Sequence, residues 1–333
     1  MKDISISFII PVYNRPNEIT ELLQSMLEQT VKKFEVVVVE DGSDVKCDLI
    51  CKQFESKLDL KYFYKKNTGP GQSRNYGYAK AQGNYCVFLD SDCVLPQNYF
   101  EIVQSALKEE YVDAFGGPDR AHSDFSILQK AINYSMTSFF TTGGIRGTSE
   151  KLDKFHPRSF NMGYSRRVFD ATKGFAKMRF GEDIDMSIRI LQNGFTTRLI
   201  KEAYVYHKRR TSIRQFFKQV FNSGIARINL FKRHPKSLKA VHFAPALFTI
   251  GSISLVLASI FYSAAFLLPM VIHALILLID SSFKNKNIAI GIVSVVTSYT
   301  QLLGYGFGFI GASWKRIILN QKEYAAYVNN FYE

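Results

Sequence analysis

The chain has 333 residues, which is enough for one large domain or two modest ones, and it carries a formal net charge of +13. A charge of this size favours an anionic partner such as nucleic acid, nucleotide phosphates or a membrane surface. No acid occurs between Glu202 and Asp280, and ten basic residues crowd the first half of that interval. Because this basic stretch precedes apolar sequence, it favours a cytoplasmic membrane face over a nucleic-acid partner.

The four cysteines show no zinc-binding pattern. Cys47 and Cys51 lie one helical turn apart, and no histidine or further cysteine pair completes a zinc spacing. We expect all four, including Cys86 and Cys93, to be reduced thiols in a cytosolic domain. The first apolar run, residues 4–12, has the length of a strand and no cleavage-like region, so we predict no signal peptide.

The first hundred residues alternate between strand and helix patterns. Apolar or β-branched runs predict strands at residues 4–12, 34–40, 60–64 and 85–89. Helical spacing of apolar residues predicts helices at 17–29, 48–58 and 71–82. This alternation predicts an α/β fold with a doubly wound, mostly parallel sheet, in which a ligand lies beyond the carboxyl ends of the strands.

The later sequence changes character. Residues 115–180 are less regular, 181–192 predict an amphipathic helix, and 204–206 predict a last short strand. The basic, amphipathic stretch 214–231 has the pattern of an interfacial helix. Residues 243–279 contain no charge, and 288–314 form a second uncharged run that ends in Trp314-Lys315-Arg316. A buried core helix would explain one such run, but two in succession predict membrane insertion, with 243–279 crossing once as a long helix or twice as a hairpin.

The run Tyr85-Cys-Val-Phe-Leu-Asp90-Ser-Asp92 gives the clearest chemical signal. Two carboxylates that follow a buried parallel strand can bind a divalent cation and, through it, a diphosphate. Taken alone the motif is weak, because a strand that runs into a solvated acidic turn explains it equally well.

Two further motifs stand at predicted strand ends. Pro11-Val-Tyr13-Asn14-Arg15 closes the first strand, either as a simple strand exit or as a site where exposed backbone and Tyr13 hold a base. Glu40-Asp41-Gly-Ser closes the second, as an Asx turn or as a site where Asp41 hydrogen-bonds a base or ribose. The glycine-rich stretch 69–75 has Arg74 where a dinucleotide fingerprint has its third glycine, which argues against a dehydrogenase.

Later polar clusters complete the pattern. Gly181-Glu182-Asp183-Ile-Asp185 puts three acids in a first helical turn, more than the helix dipole needs, so one is a candidate general base. His207 precedes Lys208-Arg209-Arg210. This histidine is a candidate either to complete a metal shell or to stabilise a leaving diphosphate together with the arginines. Arg209 and Arg210 are candidates for the diphosphate or acceptor side of the site.

These motifs, in this order and followed by apolar segments, resemble the family 2 glycosyltransferases with the GT-A fold, over roughly residues 4–214. The resemblance implies that Asp90 and Asp92 form the Asp-x-Asp motif, with Asp92 as the metal ligand, and that His207 adds a metal ligand as in some members. It implies Asp183 as catalytic base, with Glu182 orienting the acceptor. The expected nucleotide-binding residues are Pro11, Tyr13, Asn14, Asp41, Arg74 and Asp90.

The chain departs from the processive synthases of this family, because no Gln-x-x-Arg-Trp follows His207. We therefore expect a metal-dependent (Mg²⁺ or Mn²⁺), inverting enzyme that uses a UDP- or GDP-linked sugar and a saccharide or polyprenyl-linked acceptor. The expected domains are a catalytic domain at 1–210, an interfacial segment at 211–240, two or three transmembrane helices at 241–316 and a tail at 317–333. The catalytic domain is expected on the cytoplasmic side of the inner membrane, in contact with lipid. A nucleotidyltransferase and a non-enzymatic nucleotide-binding membrane scaffold are the alternatives.

Overall fold

A computed structural model describes residues 4–120, 125–142 and 155–323 of the chain. These residues divide into two compact units. Residues 4–120 and 155–207 form a unit built on β-sheet, and residues 125–142 and 208–323 form a helical unit. Residues 125–142 lie inside the predicted catalytic domain 1–210, yet they group with the helices.

The strands all belong to the sheet unit. They are β1 (Ile6–Val12), β2 (Glu35–Asp41), β3 (Asp59–Lys65), β4 (Tyr85–Leu89), β5 (Cys93–Val94), β6 (Ala114–Gly116), β7 (Asp119–Arg120), β8 (Asn161–Ser165), β9 (Thr197–Leu199) and β10 (Val205–His207). The main sheet has the order β3-β2-β1-β4-β8-β6-β9, and a small sheet has the order β5-β10-β7.

The helices occur in both units. They are α1 (Pro16–Leu27), α2 (Asp48–Phe54), α3 (Pro70–Lys80), α4 (Tyr99–Glu109), α5 (Ile127–Thr137), α6 (Phe139–Thr142), α7 (Arg166–Thr172), α8 (Glu182–Gln192), α9 (Ile213–Arg233), α10 (Ala244–Phe261), α11 (Leu268–Asn285) and α12 (Ile288–Ser313). Helices α5, α6 and α9 to α12 make up the helical unit.

The main sheet is buried on both faces, as its β-branched and aromatic strands predict. Alternate residues of β1 point to opposite sides: Phe8 and Ile10 enter a core with residues of α1 and α4, and Ile9 enters a second core with residues of α3 and α8. Strands β1 to β4 are parallel, so their carboxyl ends share one edge. Strand β8 is antiparallel to both β4 and β6, which makes the sheet mixed and confirms the predicted α/β fold.

The small sheet brings the last strand to the end of β4. His207 at the end of β10 pairs in antiparallel register with Cys93, the residue that follows Asp92. This pairing explains how a histidine more than a hundred positions away along the chain reaches the acidic motif.

The helical unit contains the apolar segments. The uncharged run 243–279 is two helices rather than one, because α10 ends at Phe261 and α11 begins at Leu268. Within the described part of the chain, three stretches are long and apolar enough to cross a membrane: Ala240–Phe261, Ala264–Asn285 and Ile288–Ile318. The predicted apolar C-terminal helices are thus present.

Candidate active site

Asp90 and Asp92, called here the strand pair, follow β4 directly. The Asp92 carboxylate is 9% exposed; one of its oxygens lies 3.1 Å from His207 Nε2, and the other accepts a hydrogen bond from the Arg15 guanidinium. Arg15 follows β1, the neighbour of β4, so adjacent parallel strands deliver the two partners to the same edge of the sheet. The Asp92 carboxylate raises the pKa of Arg15 further above its ordinary value, against the opposing effect of burial.

Glu182 and Asp183, called here the helix pair, open α8. Gly181 precedes them with a φ of +84°, a left-handed conformation that glycine adopts without strain. Asp183 Oδ1 accepts a hydrogen bond from the backbone N–H of Ile184, and its Oδ2 accepts one of 2.6 Å from Arg158 Nε. The first turn of the helix and an arginine from an irregular segment therefore fix this carboxylate.

Arg74 joins the two pairs. Its guanidinium is 3% exposed and donates to Asp90 at 2.6 Å and to Glu182 at 3.2 Å. Gly71, one turn earlier in α3, permits the approach, since a Cβ there would lie 3.1 Å from the Glu182 side chain. A single buried cation therefore holds one carboxylate of each pair.

The helix pair has opposite pKa shifts. Burial raises the pKa of Glu182 to about 7, with a further contribution from the neighbouring Asp183 charge, while Arg74 opposes the shift. Burial also acts to raise the pKa of Asp183, but the Arg158 charge and hydrogen bond hold it below its ordinary value. One carboxyl group is thus poised to hold a proton near neutral pH, and the other is held ionised.

The third acid of α8 has a structural role. Asp185 is 2% exposed and binds Arg189 at 2.8 Å, one turn later in the same helix. Arg189 also donates to the backbone carbonyls of Thr172 and Gly174. Asp185 therefore anchors the loop before α8.

The expected base-binding residues lie where β1 and β2 end. Both oxygens of the buried Asp41 carboxylate accept backbone hydrogen bonds, at 2.9 Å from Thr68 and 2.8 Å from Gly69, and Lys65 forms an ion pair with it. Asn14 Oδ1 accepts from the backbone of Asp44 and Val45 at 2.8 and 3.0 Å. These contacts tie the strand exits together, and the nucleotide-binding roles of Asp41 and Asn14 stay predictions.

The other expected residues divide between the units. Pro11 is buried within β1 opposite Val39, and Tyr13 is half-buried just beyond that strand. Arg209 lies in the helical unit, where its guanidinium donates to Asn133 Oδ1 at 2.8 Å and its side chain is buried. Arg210 is half-buried in the same unit. Their roles toward a diphosphate or acceptor stay predictions.

A divalent cation fits the donor set at the strand pair. Ligand atoms of Asp92, Cys93 and His207 lie within 4.8 Å of one another. Carboxylate oxygen and imidazole nitrogen suit Mg²⁺ or Mn²⁺, of which Mn²⁺ accepts imidazole more readily. Burial raises the pKa of the Cys93 thiol well above its ordinary value, so that residue is a weak donor. Asp92 and His207 would therefore hold the ion.

Two arginines of the site had no role in the sequence analysis. Arg15 is the last residue of the motif that closes the first strand, but its pairing with Asp92 depends on which strands are neighbours. Arg158 lies in a stretch without helical or strand periodicity, so no signal in the sequence connects it to Asp183.

Comparison with known proteins identifies the class. The family model described as glycosyl transferase family 2 matches residues 7–172. An uncharacterized glycosyltransferase of Rickettsia bellii is 39% identical over 109 residues, 33% of this chain and 16% of that protein. The poly(ribitol-phosphate) β-N-acetylglucosaminyltransferase TarS of Staphylococcus aureus is 36% identical over 135 residues, 39% of this chain and 22% of that protein. The chain thus matches less than a quarter of the length of either relative.

A solved structure extends the likeness to nearly the whole chain. The mannosyltransferase PcManGT from Pyrobaculum calidifontis, solved with GDP-Man and Mn²⁺, aligns with a TM-score of 0.68 at 16% identity, over 95% of this chain and 89% of that one. At this identity the likeness concerns the fold. The chain belongs to glycosyltransferase family 2 and has the GT-A fold.

Proposed function

We propose that the protein moves a sugar from a nucleoside-diphosphate sugar to a hydroxyl group of a saccharide or lipid-linked acceptor, with inversion at the anomeric carbon. The observation that carries the proposal is the Arg74 bridge between Asp90 and Glu182. It holds the diphosphate-side acids and the acid–base pair in one ionic network. Transfer needs this arrangement, because the leaving group and the attacking hydroxyl act on opposite faces of the same sugar carbon.

Each carboxylate then has a task. Asp183 removes the proton from the acceptor hydroxyl, and Glu182 orients that hydroxyl; Arg158 keeps Asp183 ionised until the acceptor arrives. Asp92 and His207 would hold Mg²⁺ or Mn²⁺, and the ion would supply positive charge against the charge of the departing diphosphate. Asp90, fixed by Arg74, is available to the ribose.

The setting proposed is cell-envelope or exported polysaccharide synthesis at the inner membrane, with the sheet unit in the cytoplasm. TarS by its name acts on poly(ribitol-phosphate), which supports an envelope polymer as the acceptor class. PcManGT was solved with GDP-Man and Mn²⁺, which supports a nucleotide-sugar donor and a divalent cation. The apolar helices and the basic stretch before them support contact with anionic lipid.

A donor screen tests the proposal. Purified protein is mixed with UDP- and GDP-sugars and Mn²⁺, and both binding and release of nucleoside diphosphate are measured. We expect one donor to bind and to be hydrolysed slowly without acceptor. Formation of pyrophosphate from a nucleoside triphosphate would instead indicate a nucleotidyltransferase, and binding without turnover under any condition would indicate a scaffold.

The metal site is tested within the same screen. Asp92→Ala removes the carboxylate that contacts His207 most closely, so we expect Mn²⁺-dependent donor binding to be lost while the protein remains folded. Asp59→Ala, at an exposed residue at the start of β3, is the matched control. Unchanged affinity for the donor in Asp92→Ala would refute the role of this residue.

A further inference from the structure

The positive charge of the chain is concentrated in its helical unit. The described part of that unit contains sixteen lysines and arginines but only two acids, Asp280 and Glu323. This surplus of fourteen positive charges exceeds the net charge of the whole chain, which is +13. Asp280 Oδ2 lies 2.9 Å from Lys284 Nζ, and Glu323 Oε2 lies 3.2 Å from Arg233 Nη2, so both acids already have a partner. The unit therefore attracts anions from outside the chain.

Three segments of this unit meet at one end, called here the basic end. They are the second half of α9, the stretch 234–243 that leads into α10, and the end of α12 with the π-helical turn Trp314–Ile318 that follows it. Ile228 of α9, Ala246 of α10 and Phe309 of α12 belong to one buried apolar cluster, which holds the three segments together. The cations of the basic end include Arg227, Lys232, Lys236, Lys239, Lys315 and Arg316.

Arg227 of α9 lies level with the end of α12. A Cβ at Gly308 would lie 2.0 Å from the carbonyl oxygen of Phe221, and further along both helices Arg316 Nε donates to Asn229 Oδ1 at 3.0 Å. These contacts advance in the same direction, so the two helices run parallel here. Because Arg227 stands in α9 between Phe221 and Asn229, it lies level with the π-helical turn after α12.

The basic end contains two buried donors that bond to nothing in the described chain. The Arg227 side chain is half-buried, and its Nε atom is buried with no hydrogen-bond partner among the residues that the structure describes. The Ser237 hydroxyl, in the short turn Pro235–Ser237, is likewise buried without a partner among those residues. A buried donor of this kind costs free energy, because it gives up its hydrogen bonds to water and gains none. Phosphate oxygens accept from both kinds of donor.

Two further polar side chains lie near Arg227. The charges of Arg227 and Lys239 both act on the half-buried ring of His242, so these three side chains are neighbours. His242 Nδ1 accepts a hydrogen bond of 2.9 Å from the backbone N–H of Lys239, which leaves Nε2 as the donor of the neutral ring. A guanidinium, an ammonium and an imidazole N–H thus lie close together, and both acids of the unit are paired elsewhere.

The apolar side chains of the basic end favour a lipid over a soluble anion. Phe243, Trp314 and Ile318 are 42%, 56% and 63% exposed. Aromatic and basic residues occur together where a protein meets the interface between membrane and water. The acyl chains of a phospholipid would cover these apolar groups, whereas a free phosphate or a nucleic acid would leave them exposed.

We propose that the basic end binds the phosphate of an anionic phospholipid, with Arg227 as the central contact and Lys239 and His242 beside it. The proposal rests on the membrane association given under the proposed function, but not on the transfer reaction. It differs from a general attraction between a basic surface and a membrane, because it assigns the headgroup to one half-buried guanidinium. Loss of that guanidinium should therefore weaken binding more than loss of another cation of the same helix.

Trp314 can report this binding, because it is the single tryptophan of the chain and stands in the turn level with Arg227. The full chain in an uncharged detergent is titrated with phosphatidylglycerol that carries bromine on its acyl chains, and quenching of Trp314 fluorescence is measured. No nucleotide sugar is present, so failure of this proposal and failure of the proposed function remain distinguishable. We expect brominated phosphatidylcholine, which has no net charge, to require at least about tenfold more lipid for half-quenching.

Two glutamine variants of α9 separate a site from diffuse attraction. Arg227→Gln removes the proposed contact, and Arg214→Gln removes an exposed charge about 20 Å earlier in the same helix. Each variant lowers the net charge by one. We expect Arg227→Gln to raise the lipid fraction for half-quenching by about tenfold, the value of one hydrogen bond to a charged group, and Arg214→Gln by less than about twofold. Equal effects would show diffuse attraction only, and would overturn the proposal.

A second variant covers the case in which Arg227→Gln also lowers the temperature of unfolding. Lys239→Gln changes an exposed residue, so we expect that temperature to be unchanged and the lipid fraction for half-quenching to rise by about threefold. An unchanged lipid fraction in Lys239→Gln would then overturn the proposal.

Competitors identify the kind of anion. Inorganic phosphate and a single-stranded oligonucleotide are each added to the protein with bound brominated phosphatidylglycerol, and we expect neither to restore Trp314 fluorescence at concentrations comparable to that of the lipid. Recovery with inorganic phosphate would show a site for free phosphate, and recovery with the oligonucleotide would show a site for nucleic acid. Either recovery, or equal quenching by brominated phosphatidylcholine, would overturn the assignment to an anionic phospholipid.

Discussion

The strand pair and the helix pair of the candidate site are held by different parts of the chain. The strand pair follows a buried strand and takes its own arginine, Arg15, from the end of the adjacent strand. The helix pair opens an amphipathic helix and takes Arg158 from an irregular segment. In each pair one carboxylate has its own arginine, and the other shares Arg74. The two ends of the site are therefore electrostatically coupled, although sequence motifs present them as separate.

Removal of Arg74 should have the largest effect, because it breaks the coupling at both ends. Arg74→Ala leaves Asp90 and Glu182 without their buried cation, which we expect to cost about 3 to 5 kcal/mol of folding free energy. Chemical denaturation measures the loss. Arg167→Ala, at an exposed arginine of α7, is the matched control, with a change within about 0.5 kcal/mol. A loss of that small size in Arg74→Ala would show that the two ends are independent.

The next largest effect is expected from Asp183, the ionised carboxylate of the helix pair. Asp183→Asn keeps the size of the side chain but removes the base, so we expect turnover to fall by at least about a hundredfold with donor affinity nearly unchanged. Asp185→Asn is the comparison, and we expect it to lower the free energy of unfolding because it removes the ion pair with Arg189. If turnover survives in Asp183→Asn, Glu182 becomes the candidate base.

The pH dependence of stability distinguishes the two members of the helix pair. The pKa of Glu182 is raised to about 7 in the folded state. The contribution of Glu182 to the free energy of unfolding is therefore fully present below about pH 4.5 and is lost as the pH rises through about 7. Glutamine does not titrate, so Glu182→Gln does not lose this stability as the pH rises. The free energy of unfolding of the variant minus that of the parent should therefore increase by on the order of 2 kcal/mol between pH 5 and pH 8. Glu55→Gln, at an exposed residue, is the matched control, and a flat difference for Glu182→Gln would contradict the raised pKa.

The smallest effect is expected from the arginine of the strand pair. Arg15 is paired with an oxygen of Asp92 that a metal ion would need. Arg15→Gln should therefore raise the affinity for Mn²⁺ alone, by several-fold to about tenfold, or about 1 kcal/mol. Titration calorimetry without nucleotide measures this affinity for Mn²⁺, and Lys33→Gln, at an exposed residue, is the control. Weaker Mn²⁺ binding in Arg15→Gln would mean that Arg15 supports the ion rather than competing with it.

The sequence predicted the strand pair well because one apolar run of strand length directly precedes it. The run of apolar residues before Asp90 matched β4 residue for residue. His207 was found at the end of a short strand, although its partner strand was not foreseen, because β5 and β7 have only two residues each. Short strands gain their stability from neighbours rather than from a pattern of their own.

The helix pair was located, but its surroundings were not. Strand β8 reads Asn-Met-Gly-Tyr-Ser, which has neither clear alternation nor β-branched residues, yet it is buried throughout between β4 and β6. Position in the sheet determines its conformation. Arg158, three residues before β8, comes to Asp183 only through that tertiary arrangement. Pairings of this kind depend on which elements are neighbours, and a single sequence does not reveal them.

The position of α5 in the chain has a practical consequence. This helix occurs between two segments of the sheet unit, yet its apolar residues Ile132 and Met136 pack with Phe216 and Val220 of α9. A fragment that ends near residue 210 would keep α5 while losing the helices that cover it, and its exposed apolar face would favour aggregation. A soluble fragment for crystallography therefore requires two cuts, one to end the chain after His207 and one to replace residues 125–142 with a short polar linker.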